Sequence, residues 1–386
     1  MNKRILCLCL VMALLVSCVP APVDSDVTPE TTPPSPPLNA ADMIAPSDEL
    51  SPTPSPAPIP TPAPHELEPY SGPFYHVFYH FLIAFPEIAK NNSYGINLDN
   101  DTVTPTEFWR SLEELYRNDF VLIDINRYIG YDENGKVKLA QIMVPIGKKP
   151  LIMSFDDINY YSKNHGKGIA DKIILDDDGN FAMLTYQPDG AALITYDNCV
   201  VPLLEQFIEQ HPGFSPFGDK GLLAITGFDG ILGYRTQRDS PGRDAEIEAV
   251  KPVVDALKAR GWSFASHSYG HIHSSKVGID RVKRDTQHWQ DEVASIVGDT
   301  KIYVFPYGEY TKHSEPEFRH LIDSGFVFFC GVGMPPFLRV HDGYIFMDRQ
   351  NVDGFSLRNR ANWLEPLMDN LYVFCPEERP RPFYIP

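Results

Sequence analysis

Between residues 75 and 333, short apolar runs alternate with amphipathic stretches of helical length, and this alternation admits few folds. "YHVFYHFLIAF" (75–85), "FVLIDI" (120–125), "KPLIMSF" (149–155) and "GLLAITGF" (221–228) read as strands, as do "WSFASH" (262–267), "KIYVFPYG" (301–308) and "FVFFCGVG" (326–333). Between them, "TPTEFWRSLEELYRND" reads as a helix capped by Thr104, with Pro105 at its first position. "NCVVPLLEQFIEQH", "DAEIEAVKPVVDALKARG", "RVKRDTQHWQDEVASIVG" and "EPEFRHLIDSG" are the other helices. Strand–helix repetition predicts parallel strands with helices outside, either as a barrel or as a doubly wound sheet. Active sites in such folds lie at the C-terminal ends of the strands. Residues 172–197 break the rhythm, because Asp-Gly pairs at 178–179 and 189–190 predict an antiparallel hairpin insertion. The run Asp176-Asp177-Asp178-Gly179 lacks the glutamate an EF-hand calcium loop needs near its twelfth position, and reads as a turn.

The N-terminal part has another character. Lys3 and Arg4 precede an apolar stretch from Ile5 to Val16, too short for a comfortable membrane span and suited to a secretory leader over residues 1–17. From Val19 to Gly72 the chain is Pro-rich and reads as an extended tether that cannot bury a core. The tether carries eight acidic residues and no Lys or Arg, so much of the net charge of −18 says nothing about a site. Acidity elsewhere argues against nucleic acid, which needs a basic patch. Neither GxGxxG nor a P-loop is present, so no nucleotide is expected. Of six cysteines, only Cys199, Cys330 and Cys375 lie in residues 73–386, enough for one disulfide at most.

Chemistry gathers where strands end. "LIMSF" runs into Asp156-Asp157, and adjacent carboxylates repel and are costly to bury unpaired. The pair fits a strand ending in solvent, a helix N-cap, a calcium loop, or a metal site in which one carboxylate binds and the other works. "WSFAS" ends in His267-Ser268-Tyr269-Gly270-His271, and two histidines spaced i, i+4 make a ligand pair. With a carboxylate from another strand end they form a two-His, one-carboxylate set that leaves coordination positions open.

"SFDD", "HSYGH" and "FPYG", in this order, resemble the first three motifs of the polysaccharide deacetylases (NodB-homology domain, carbohydrate esterase family 4) over roughly residues 73–355. The resemblance implies an irregular barrel of the (β/α)7 type, with Asp157, His267 and His271 holding a divalent metal, most often zinc. Asp156 would be the general base, and the backbone N–H of Tyr307, after Pro306, would face the oxyanion. Two departures stand out: Ile158-Asn159-Tyr160 replaces the usual glycine after the aspartates, and Val304 stands where an arginine often steadies the base. Arg349 in "MDRQNVDG" is the candidate replacement.

The family's general acid comes from a late L-x-H motif. "LRVHDG" (338–343) contains His341 but reads as a loop, whereas "VFYHFL" near the start of the domain places His80 after a strand. The chain therefore resembles the circularly permuted, exopolysaccharide type, with His80 as the acid and His341, then His273, behind it. Alternation puts His76, Phe78 and His80 on one strand face. His76, about 13 Å further back, reads as a structural hydrogen-bonder. At the leader's end, Leu15-Val16-Ser17-Cys18 resembles a lipoprotein lipobox, which implies cleavage before Cys18, a lipid anchor and an extracytoplasmic, membrane-held protein. The expected organisation is a leader (1–17), a lipidated Cys18 with linker (18–72) and a deacetylase-like domain (73–386). The expected activity is metal-dependent removal of N-acetyl groups from an envelope or extracellular polysaccharide. O-acetyl ester hydrolysis on a glycan such as xylan, or glycan binding without catalysis, are the other readings.

Overall fold

The computed structural model describes residues 66–380 apart from Asn92, Pro188, Met334 and Pro335. The leader, Cys18 and most of the linker lie outside the described residues. Seven parallel strands form a closed ring: β1 (Tyr75–Tyr79), β2 (Lys149–Asp156), β3 (Leu222–Ile225), β4 (Ser263–Ser266), β5 (Ile302–Val304), β6 (Phe328–Val332) and β7 (Tyr344–Asn351). They pair in chain order from β2 to β7. The ring shuts where β1 lies between β7 and β2, with Val77 beside Gln350 and Met153. This is the (β/α)7-type barrel that the family resemblance implied, where the alternation alone had left a doubly wound sheet open.

Period-two alternation divides each strand between two environments. Ile152, Leu222, Ala224, Ala265, Ile302, Val304, Phe328, Cys330, Ile345 and Met347 point one way and form a single buried cluster, the barrel interior. Their neighbours Leu151, Met153, Phe155, Leu223, Ile225 and Phe264 point the other way and pack with the helices. Those helices include α1 (Pro105–Arg117), α2 (Val200–Gln210), α3 (Arg243–Ala259), α4 (Ile279–Trp289) and α5 (Pro316–Asp323). The α1 N-terminus closes as its sequence predicts: Glu107 N–H donates to Thr104 Oγ1, and Thr104 N–H donates to Glu107 Oε2. Following the inward positions toward the strand C-termini, Ile152 gives way to Ser154 and Asp156, Ala265 to His267, and Met347 to Arg349. Each interior thus ends in a polar layer at one mouth of the barrel.

Several elements depart from expectation. Residues 338–341, expected as a loop, form a strand antiparallel to β7 outside the ring. β7 itself escaped the sequence reading because Asp348, Arg349 and Gln350 break its apolar pattern. The run 75–85 stays in the sheet only to Tyr79, after which Ile83 bonds the Val103 carbonyl instead of a strand. Phe120–Leu122 pairs with the start of β2, beside the ring rather than in it. The insertion has three strands, Lys172–Leu175, Phe181–Tyr186 and Ala192–Thr195, one more than a hairpin. Leu67–Pro69 pairs with Met143–Pro145, so pairing begins inside the expected linker. Cys199, Cys330 and Cys375 are buried and free.

Candidate metal centre

β2 ends with Asp156 in strand geometry, and Asp157 then turns into the left-handed region with φ of 58°. The turn is held from outside: Asp157 N–H donates to the Ala224 carbonyl. Asn159 donates to the Thr226 and Gly230 carbonyls and accepts from Thr226 N–H. Asn159 thus ties the loop to the end of β3 at a place where the family pattern has glycine nearby. Ser268, His271 and Tyr307 also have positive φ, so four non-glycine residues at this mouth adopt a costly backbone.

The histidine loop is stapled from α4. Asp285 accepts the N–H groups of Tyr269 and Gly270, both at 2.8 Å, and Ser268 Oγ accepts Ile272 N–H at 3.0 Å. Glu292, just beyond α4, takes the Tyr269 hydroxyl at 2.8 Å. With the loop pinned, His267 lies buried and His271 partly open. His267 Nδ1 donates to the Val304 carbonyl at 2.9 Å, which leaves Nε2 with its lone pair toward the mouth.

Ligand atoms of Asp157, His267 and His271 all lie within 4.8 Å of one another. Asp157 Oδ2 is 3.7 Å from His271 Nε2, while its Oδ1 accepts the Tyr161 hydroxyl at 2.6 Å. One carboxylate oxygen is therefore held and the other is presented. Two imidazoles with free nitrogens and one anionic oxygen are the donor set a divalent cation needs, so these residues can hold one.

Asp156 has a different partner. Arg349, wholly buried on β7, grips it with two bonds, Nη1 to Oδ1 at 2.7 Å and Nη2 to Oδ2 at 2.9 Å. Burial alone would raise the Asp156 carboxyl; Arg349's charge outweighs it, with His267 adding to the effect, and holds the group well below the usual carboxylate range. Burial also pushes Asp157 upward, but the imidazoles of His271, His267 and His80, with the Tyr161 hydroxyl, draw it below its ordinary value. His271 is pushed down to about 4, mainly by burial.

The remaining candidates divide between this mouth and other parts of the barrel. His80 follows β1, and its charge is felt at Asp156, Asp157 and His271. Pro306 is buried at the end of β5, and in the turn it starts, Gly308 and Glu309 N–H bond back to Phe305 and Pro306 while Tyr307 N–H does not. The Tyr307 ring is 55 % exposed and stacks on His273 at 3.6 Å. His341 is at the opposite end: it stacks on Tyr344 at 4.6 Å, at the start of β7, five residues (about 16 Å of strand) from Arg349. Sequence reading missed Tyr161, Thr226, Asp285 and Glu292. Tyr161 follows Asp157 by four residues in an aromatic-rich stretch, a faint signal; Asp285 gave none, since its partners come from another element. A cavity of about 560 Å³ lined by Trp262, Ser263, Thr300 and Lys301 opens where β4 and β5 begin, away from these groups.

Among solved structures, the chain is similar to a Streptococcus pyogenes deacetylase, PplD, in complex with acetate (13 % identity, 78 % of this chain and 99 % of that one, TM-score 0.46). It is also similar to a de-N-acetylase from Aggregatibacter actinomycetemcomitans (12 % identity, 73 % and 96 % covered, TM-score 0.42). A third is the BpsB deacetylase domain from Bordetella bronchiseptica (13 % identity, 54 % and 73 % covered, TM-score 0.29). Comparison with curated protein sequences finds no match. The family model described as polysaccharide deacetylase matches residues 240–321, a span that contains both histidines, Asp285 and the Pro306–Tyr307 turn. The match over residues 240–321 to the polysaccharide deacetylase family supports a hydrolase acting on amide bonds.

Proposed function

We propose that this protein removes N-acetyl groups from an envelope or extracellular polysaccharide of the N-acetylglucosamine type, releasing acetate, in a metal-dependent reaction. The observation that carries the reading is the pairing of two adjacent carboxylates with separate partners: Asp157 with His267 and His271, Asp156 with Arg349. A divalent cation held by the first set, most simply zinc, supplies Lewis acidity when bound. Asp156, kept ionised by Arg349, accepts the proton of the attacking water. Each carboxylate oxygen has a second lone pair beyond the one Arg349 uses, so the clamp leaves it able to accept. The N–H of Tyr307, without a hydrogen-bond partner among the described residues, faces the charge that develops on the acetyl oxygen. His80, at the same mouth, gives a proton to the leaving amine. Phe228, 38 % exposed and stacked on Tyr161 at 4.9 Å, and the open Tyr307 ring provide apolar faces for sugar rings on either side of the ligand set.

The test is acetate release by the metal-reconstituted protein from N-acetyl-chitooligosaccharides and from acetyl-xylan. Release from the first alone is expected; release from xylan alone would make the protein an ester hydrolase, and none from either, with metal bound, a binding protein. The same reading includes a lipid anchor on Cys18 and an extracytoplasmic location. Cys18→Ser is expected to change processing and abolish membrane partition; unchanged partition would refute the anchor.

A further inference from the structure

β1 sends two alternate side chains into the barrel, His76 and Phe78, and both lie beneath the candidate site and are linked to its arginine. Phe78 places its ring 4.1 Å from the Arg349 guanidinium carbon. His76, one layer deeper and 1 % exposed, has Nε2 2.8 Å from Ser154 Oγ. Ser154 Oγ in turn accepts Arg349 Nη1 at 3.2 Å, and the same Nη1 reaches Asp156 Oδ1 at 2.7 Å. A continuous chain of hydrogen bonds thus runs from His76 through Ser154 and Arg349 to Asp156.

Donor counting fixes the Arg349 bond, and the acceptor available to the Ser154 proton assigns the other. Arg349 can only donate, so Ser154 Oγ accepts from it and keeps its own proton to give away. His76 Nε2 is the acceptor within reach, which makes His76 neutral and puts its proton on Nδ1. Burial first, and Arg349's charge second, hold His76 well below the ordinary imidazole value, in agreement with a neutral ring. Nδ1 has no hydrogen-bond partner among the described residues. An imidazole half-satisfied inside an apolar barrel is a poor packing choice where a leucine would fill the space without stranding a donor.

We propose that His76 is a positioning residue: it orients the Ser154 hydroxyl, which aims the Arg349 guanidinium and so the Asp156 carboxylate. The proposal rests on the reading of Asp156 as the base. Without the imidazole acceptor, the Ser154 proton loses its partner and the hydroxyl turns, meeting a guanidinium N–H with its own O–H. Arg349 then keeps Phe78 and the Gly331 carbonyl, which Nε reaches at 3.3 Å, but not its lower lateral stop.

The test compares the full chain with His76→Leu, His76→Gln and Ser154→Ala, measuring kcat, KM, bound metal and the guanidinium resonances of 15N-labelled arginine. His76→Leu and Ser154→Ala are expected to lower kcat roughly tenfold or more with KM and metal content unchanged. Both should shift the Arg349 Nη signals, and His76→Gln, which can still accept from Ser154, should restore both readouts. Should His76→Leu fail to fold, Ser154→Ala carries the same comparison with a smaller change of volume. Normal kcat in both variants, or lost kcat with unmoved Arg349 signals, would overturn the proposal. If the wild-type chain releases no acetate, the functional reading fails by itself. The Arg349 signals then decide the coupling alone, with a shift upholding it and identity with wild type ending it.

Discussion

Asp156 and Asp157 are adjacent in the chain and separated in chemistry by what each meets. One is locked between both nitrogens of a buried guanidinium; the other faces two imidazoles and a phenol. Asp156→Asn is expected to retain metal and lose turnover by roughly 10²–10⁴, the worth of a positioned base. Asp157→Asn should instead lose metal. Parallel elemental analysis and acetate assays check both, and the reverse pattern would exchange the two roles. These residues were legible because each is local to a strand end, where a motif of a few letters contains it. Arg349 was legible only as a replacement for a missing arginine. The histidines make a second prediction. His271 is held at about 4 and His76 is also held low, whereas an unfolded histidine titrates near ~6.5. Between those values the unfolded chain takes up protons that the folded chain refuses. Metal-free stability is therefore full above pH ~6.5 and falls as pH drops through that window. Melting temperatures of the metal-free protein at pH 7.5 and 5 should show the fall, with a shallower slope in His271→Gln; equal temperatures would contradict it.

Elements were easier to read than their ends. α1 lies where its cap and apolar periodicity put it, and α2 where its apolar periodicity does, because a capping box and a 3.6-residue stripe are local properties. β7 was lost because the polar layer that makes the site, Asp348 to Gln350, also erases the apolar signature of the strand bearing it. Site-building residues thus obscure the element they occupy. The same holds for the loop after β2, whose purpose is visible only in three dimensions. Tyr161 reaches back four residues to fix Asp157 Oδ1 at 2.6 Å while Thr226, from β3's end, lies 2.9 Å from the same hydroxyl. Removing a hydrogen bond behind a ligand costs roughly 10–100-fold in metal affinity. Tyr161→Phe keeps the ring stacked under Phe228 and deletes that bond together with the hydroxyl's contact to Thr226. Competition with a chelator should show weaker metal binding in a protein that melts as a folded domain; wild-type affinity would mean that packing alone orients Asp157.

At the scale of the whole domain, one carboxylate joins the start of α1 to residues near the described C-terminal end. Glu107 accepts Thr104 N–H in its capping box, Cys375 N–H at 2.9 Å and two donors of Arg379, Nε at 2.9 Å and Nη2 at 2.5 Å. Arg379 spends Nη1 on the carbonyls of Asp99 and Thr102, both at 3.0 Å, so both partners are nearly saturated. They are also wholly buried, which makes the arrangement expensive to break from one side. Burial pushes the Glu107 carboxyl upward even with Arg379 beside it, a sign of how much desolvation the pair must offset. No sequence reading could pair them: 272 residues separate the two, and a capping glutamate already has a sufficient local purpose. Arg379→Met leaves a charge buried and unpaired and is expected to cost about 3–5 kcal/mol of stability. Glu107→Leu together with Arg379→Met removes both charges, and should recover most of that loss because neither desolvation remains. Denaturant unfolding of the two variants decides the matter. A double variant as unstable as the single one would mean that the tie holds through its bonds to Cys375, Asp99 and Thr102, with the ion pair contributing little.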